Sequence, residues 1–127
     1  MYRSSVPWLD KDGNVLKYLY EARERGVLFD VGHGGGSFVF RNAAPAVAQG
    51  FYPDSISTDL HTGSMNDEMM DMVTTMSKFL AMGMSLNDVI RLSTTSAANV
   101  IHHSELGHLS VGAVADVAVL NLLKGSF

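Results

Sequence analysis

Two short segments of this chain hold residues able to do chemistry, FDVGHGGGSF at Phe29–Phe38 and ISTDLH at Ile56–His61. Each reads as a buried strand ending on a polar side chain, His33 in the first and Asp59 in the second. A neutral imidazole at a rigid strand end suits a borderline metal such as zinc. A carboxylate at the next strand end can ligate a divalent cation, accept a proton from bound water and deliver it to a leaving amine. One helix-sized stretch separates the two, and in a parallel barrel this arrangement points both groups into one mouth. The chemistry suggested is metal-assisted hydrolysis. Plainer readings stay open: His33 hydrogen-bonded in a tight turn, and Asp59 capping the turn after its strand.

The neighbours of these residues refine the reading. Gly34, Gly35 and Gly36 allow sharp turning and close approach of a ligand to the backbone. Their spacing matches neither GxGxxG nor a P-loop, which ends in GK[ST]. His61, two residues beyond Asp59, either positions substrate and donates toward a ligand or is a plain loop histidine. Asp30, inside its strand, reads as structural. Ser37, His33 and Asp59 spell a triad on paper, but no nucleophile-elbow motif accompanies them. His102, His103, Glu105 and His108 match no zinc spacing and read as a solvent-exposed helix end. The methionines of Met69–Met84 fall partly at helical spacing and read as core. Trp8 either lines a pocket or covers an exposed edge.

The elements that must position these groups follow from periodicity and punctuation. Residues 1–14 form an irregular lead-in with turn signals at DKDGN. Val15–Arg25 is a helix stopped by Gly26, and Val27–Val31 is a short strand. Ser37 caps a helix over Phe38–Gln49, which Pro45 is expected to shorten or kink. Ser55–Thr58 is the next strand. Thr62–Glu68 is a loop, and an amphipathic helix runs from Met69 to Gly83. Ser85 and Asp88 form a capping box for the helix holding Leu86, Val89, Ile90 and Leu92. Thr95–Ile101 is a short helix. Turns near Gly107 and Gly112 lead to a buried strand over Val114–Leu122.

Bulk properties narrow the class. At 127 residues the chain suffices for one domain but not for a (β/α)8 barrel of about 250 residues. Charged residues make up 17%, below the usual value of about 25%, as expected where faces are buried or strands lie in a core. The net charge of −4, without any Lys/Arg run, argues against a nucleic-acid partner. With no cysteine, ligands for a metal must be His, Asp or Glu. MYRSSVPWLD has no signal-like apolar run, and no stretch is long enough to span a membrane. A cytoplasmic location is the expectation.

Four strings resemble the amidohydrolase superfamily, in particular its dihydroorotase-like amidohydrolase/deacetylase branch. They are RGVLFDVGHGGGSFVF at Arg25–Phe40, FYPDSISTDLH at Phe51–His61, TMSKFLAMGMSLNDVIRLST at Thr75–Thr94 and LGHLSVGAVADVAVL at Leu106–Leu120. The resemblance implies an α/β fold, the C-terminal portion of a metal-dependent (β/α)8 TIM barrel over residues 1–105. Residues 106–127 would be strands leading into a small β-sandwich domain. It implies His33 and Asp59 as metal ligands, with Asp59 also the catalytic proton shuttle, and Gly34, Gly35, Ser37 and His61 around the substrate or the ligands. The implied cofactor is one or two zinc ions, or another divalent metal, and the implied substrate a small-molecule amide, cyclic amide or N-acyl compound.

This sequence departs from the pattern in several places. It has no HxH pair, no upstream bridging lysine and no further strand-end histidine. Lys78 lies in a later helix and is no substitute for the bridging residue. Ala97 stands where proline is usual, and Arg41 where relatives are often acidic. Two protein ligands undersupply a zinc site, and half a barrel leaves strand edges unpaired. The expectation is therefore a fragment that is inactive alone, with a homo-oligomer or a complementary N-terminal half supplying what is missing. The competing expectation is a non-catalytic α/β scaffold or interaction module. A carbohydrate hydrolase using Asp30 and Asp59 would need both in one cleft about 5–10 Å apart, and Asp30 sits too far inside its strand.

Overall fold

The computed structural model describes residues 1–66 and 71–125. Met69 and Met70, with the end of the expected 62–68 loop, lie outside the described residues. The elements run α1 (Lys17–Glu24), β1 (Asp30–Gly32), α2 (Phe40–Ala48), β2 (Ser55–Ser57), α3 (Met72–Ala81), α4 (Leu86–Ser93) and α5 (Thr95–Val100). β1 and β2 pair in parallel, with Asp30 opposite Ser55, Val31 opposite Ile56 and Gly32 opposite Ser57. Because parallel strands need a crossover, α2 is the return path between them. The result is alternating β–α topology around an open, unclosed sheet of two strands.

Local chemistry accounts for most boundaries. Gly26 takes a φ of 86° just past α1, the left-handed stop for which glycine is suited. Ser85 caps α4 by accepting from the Asp88 N–H at 3.1 Å. The Asp88 carboxylate in turn accepts the Ser85 hydroxyl proton at 2.7 Å, a variant of the box in which the reciprocal bond joins side chains. Ser37 does not cap α2. The N-cap is Val39, with no side-chain cap bond, because the chain after Gly36 runs on before the helix begins. Pro45 does not end α2 either; the helix continues to Ala48.

The core is aromatic. Tyr2, Trp8, Phe38, Phe51 and Phe79 are buried with Val31, Ile56, Val89 and Leu92. The lead-in is irregular in backbone, as expected, yet it is part of this core. The Tyr2 hydroxyl donates to the Phe51 carbonyl at 3.0 Å, and burial drives its phenol pKa upward. Trp8 is 6% exposed and tilts against Tyr2 at 5.3 Å, so it is part of the core. Gln49 ties the lead-in to α2: its Oε1 accepts from the Val15 N–H at 3.0 Å and its Nε2 donates to the Gly13 carbonyl at 2.9 Å.

The expected strand over Val114–Leu122 is not formed, and the expectation that it is buried is corrected. Residues 102–125 hold no helix or strand, and Val119 and Val111 stand 93% and 107% exposed. Extended backbone becomes a strand only when a neighbour satisfies its N–H and C=O groups. No described segment pairs with this one. Among the described residues, no helix is long and apolar enough to cross a membrane.

Candidate functional site

The parallel pairing of β1 and β2 sends both carboxyl ends in one direction. Beyond the last paired residues, Gly32 and Ser57, the Gly34 N–H donates to the Thr58 carbonyl at 2.8 Å. His33 and Asp59 are thereby held at neighbouring strand ends. Asp59 takes a φ of 50°, a left-handed conformation that aspartate tolerates better than most residues. This turns its side chain back over the glycines. A Cβ on Gly34 would stand 2.6 Å from Asp59 Oδ2 and 3.3 Å from its Cγ, and one on Gly32 would stand 3.4 Å from Asp59 Cβ. Only glycine at position 34 leaves the carboxylate that room. Asp59 itself is exposed.

His33 is buried, with 1% of its surface accessible. Its ring stacks on Phe38 at 4.7 Å and an interplanar angle of 18°. Its Nε2 lies 2.9 Å from Lys78 Nζ on α3. An ammonium has donors only, so Lys78 donates and Nε2 accepts. Lys78 follows from how α3 is seated. Thr75 and Phe79 are its buried residues, and Lys78 lies three positions after Thr75, on the same side. Phe79 meets Phe38 edge-on at 5.8 Å. Asp71 starts the helix, its carboxylate accepting from the Thr74 N–H at 2.7 Å; that bond holds the Asp71 pKa below the ordinary carboxylate range.

The other candidates fall elsewhere. Asp30 accepts the Ser55 hydroxyl at 2.6 Å and the Ser57 hydroxyl at 2.8 Å, so it clamps β1 to β2, the structural role expected of it. Gly35 is exposed with open space around it, and Ser37 is half-buried. His61 is exposed, and its Nδ1 accepts from the Gly63 N–H at 3.1 Å while Ser64 bonds its backbone. His61 is therefore held within its own loop. His103 pairs with Glu105 at 2.7 Å in solvent, matching the exposed helix end read from the sequence. An apolar groove of about 630 Å³ lies between α3, α4 and residues 105–120, lined by neither His33 nor Asp59.

Among the described residues no group of three or more His, Asp or Glu side chains could hold a metal ion. Catalytic zinc takes three protein ligands plus water. His33 and Asp59 do not make up that set, and Nε2 of His33 is engaged by Lys78.

The family model described as "Amidohydrolase family" matches residues 39–126, most of the chain. The chain belongs to the amidohydrolase family. The match includes Asp59 and Lys78 and begins after His33. A deacetylase of Brucella anthropi is 46% identical over 89% of this chain. Deacetylases of Agrobacterium fabrum and Enterococcus faecalis are 45% and 33% identical over 89% and 90% of it. Among solved structures, a dihydroorotase is 42% identical with a TM-score of 0.75 over 87% of the chain. An adenine deaminase is 33% identical with a TM-score of 0.78 over 85%. The chain spans 28% of the first two deacetylases, 31% of the third and 30% of each solved structure. This amidohydrolase-family chain thus covers only part of its full-length relatives.

Proposed function

We propose that this chain is the part of a metal-dependent amidohydrolase that carries His33 and Asp59, in an enzyme that hydrolyses a C–N bond of a small-molecule amide, cyclic amide or N-acyl compound. The observation that carries the reading is the placement of His33 and Asp59 at neighbouring ends of parallel strands, with Gly34 clearing space for the carboxylate. In this reading Asp59 takes a proton from the attacking water and passes it to the leaving nitrogen. Its exposure and its seat at a strand end support that role. His33 is a metal ligand, and the remaining ligands of a zinc or other divalent site come from outside this chain, whether a second copy or a complementary N-terminal segment. Gly34 and Gly35 form the turn beside substrate, with Ser37 and His61 further out.

In the same reading the fold is the C-terminal portion of a (β/α)8 barrel over residues 1–105, and residues 106–127 lead into a small β domain. The exposed Val111, Val119 and Leu123 support a tail whose partner strands lie elsewhere. Alone, the chain does not turn over substrate.

The test is amide hydrolysis by the zinc-loaded chain, alone and co-expressed with the preceding segment of the Brucella anthropi deacetylase. Turnover only in the combination, abolished by Asp59→Asn, is the expected result. Turnover indifferent to Asp59→Asn would remove Asp59 from the reaction. A second reading, a non-catalytic α/β scaffold descended from such an enzyme, is favoured by the engagement of His33 Nε2 by Lys78. It predicts no turnover in any combination.

A further inference from the structure

We propose that Lys78 plugs the metal-ligating nitrogen of His33, so that this chain holds its strand-end site closed to cations until the α3 ammonium withdraws. The proposal rests on the reading of His33 as a metal ligand. A neutral imidazole has one nitrogen with an in-plane lone pair. Here that nitrogen is Nε2, and it accepts from Lys78 Nζ at 2.9 Å. A metal ion needs the same lone pair in the same direction, so the two occupants exclude each other. A dication would also stand beside a positive ammonium, which repels it.

The ring has little freedom to avoid the choice. His33 is 1% exposed and stacked on Phe38 at 4.7 Å, so swinging Nε2 away means breaking that stack. By its chemistry the lysine is the more flexible side chain of the two. Its long stem is only half-buried, and a four-carbon chain can turn its head toward water without moving the helix. Phe79 anchors α3 against Phe38 at 5.8 Å, which sets Lys78 opposite the ring. The geometry thus pairs a buried, stacked imidazole with a long-stemmed cation, the parts of a plug.

The experiment titrates Zn2+ alone into the whole chain by calorimetry, with the His33 ring nitrogens followed by 15N NMR. Wild type, Lys78→Met and Lys78→Gln are compared, each also carrying His33→Ala, with circular dichroism reporting the fold. The expected result is zinc binding roughly tenfold or more tighter in Lys78→Met and Lys78→Gln, about what losing one charge-assisted hydrogen bond permits. His33→Ala should remove the gain. In wild type, one equivalent of zinc should leave the His33 Nε2 resonance unmoved, a reading that needs no variant to fold. Movement of that resonance in wild type, or equal affinity with and without Lys78 that His33→Ala still lowers, overturns the plug and leaves His33 a ligand. Binding that stays absent in both Lys78→Met and Lys78→Gln overturns the plug, and binding indifferent to His33→Ala throughout overturns both.

Discussion

Replacing Gly34 with alanine tests the geometry of the strand-end site. The new Cβ would meet Asp59 Oδ2 at 2.6 Å, Cγ at 3.3 Å and Cβ at 3.5 Å, and the residue would keep a φ of +36°. The left-handed backbone alone costs an L-residue about 1–2 kcal/mol. The steric part falls on Asp59, which must rotate its carboxylate off the glycine. Asp59 is exposed, so that rotation is cheap, and its own Cβ contact is an ordinary one. The expected loss is therefore about 1–2 kcal/mol of stability, a fall of several degrees in Tm, with the Asp59 carboxylate displaced. Gly35→Ala is the control: Gly35 has open space around its Cβ and no left-handed φ, and should stay within about 0.5 kcal/mol of the parent. Urea denaturation of both, with Asp59→Ala and the Gly34→Ala/Asp59→Ala double variant, completes a cycle. Removing Asp59 should recover any steric part and leave the backbone part. Gly34→Ala matching Gly35→Ala in midpoint would refute the left-handed backbone cost at position 34, and an Asp59 carboxylate left in place in Gly34→Ala would refute its close approach.

Further outcomes follow from the same contacts. Phe38→Ala removes a buried ring that touches His33, Tyr2 and Phe79; a loss of about 3–5 kcal/mol should appear in chemical denaturation. Ser85→Ala removes the α4 cap bond of 3.1 Å and should cost about 1 kcal/mol, read in the urea midpoint. The Ser85 hydroxyl, with Arg91 beside it, holds the Asp88 pKa below its ordinary value. A lowered folded pKa means stability present above the unfolded carboxylate pKa and lost as pH falls through the folded one. NMR titration should therefore place Asp88 below a free aspartate, and Ser85→Ala should bring it back up.

What could be read in the sequence was local. The stop at Gly26, the cap at Ser85 and the two strands ending near His33 and Asp59 all follow from residue type and nearest neighbours. What escaped depended on partners far along the chain. Lys78 reaches His33 across 45 positions; in sequence it is the one charged residue of an amphipathic helix segment, MVTTMSKFLA, and only its register with Thr75 and Phe79 hints that it faces inward. Tyr2 and Trp8 fall in the lead-in read as irregular from its turn residues, and nothing in that reading says that their rings fill the core. Ser37 has the chemistry of a cap but sits too early, Val39 being where the backbone enters α2. The apolar run at Val114–Leu122 has strand composition, but composition cannot supply the neighbour that makes a strand.

In the proposed function His33 and Asp59 are an incomplete share of a metal centre. That incompleteness is tested most directly by the zinc content of the chelator-washed, zinc-reloaded chain, measured for wild type, His33→Ala and Asp59→Ala, alone and with the complementary family segment. The expected result is well below about one zinc per chain for the polypeptide alone, and retained zinc only in the combination, lost on either substitution. Stoichiometric zinc in the isolated chain, or zinc in the combination that survives both substitutions, would contradict it.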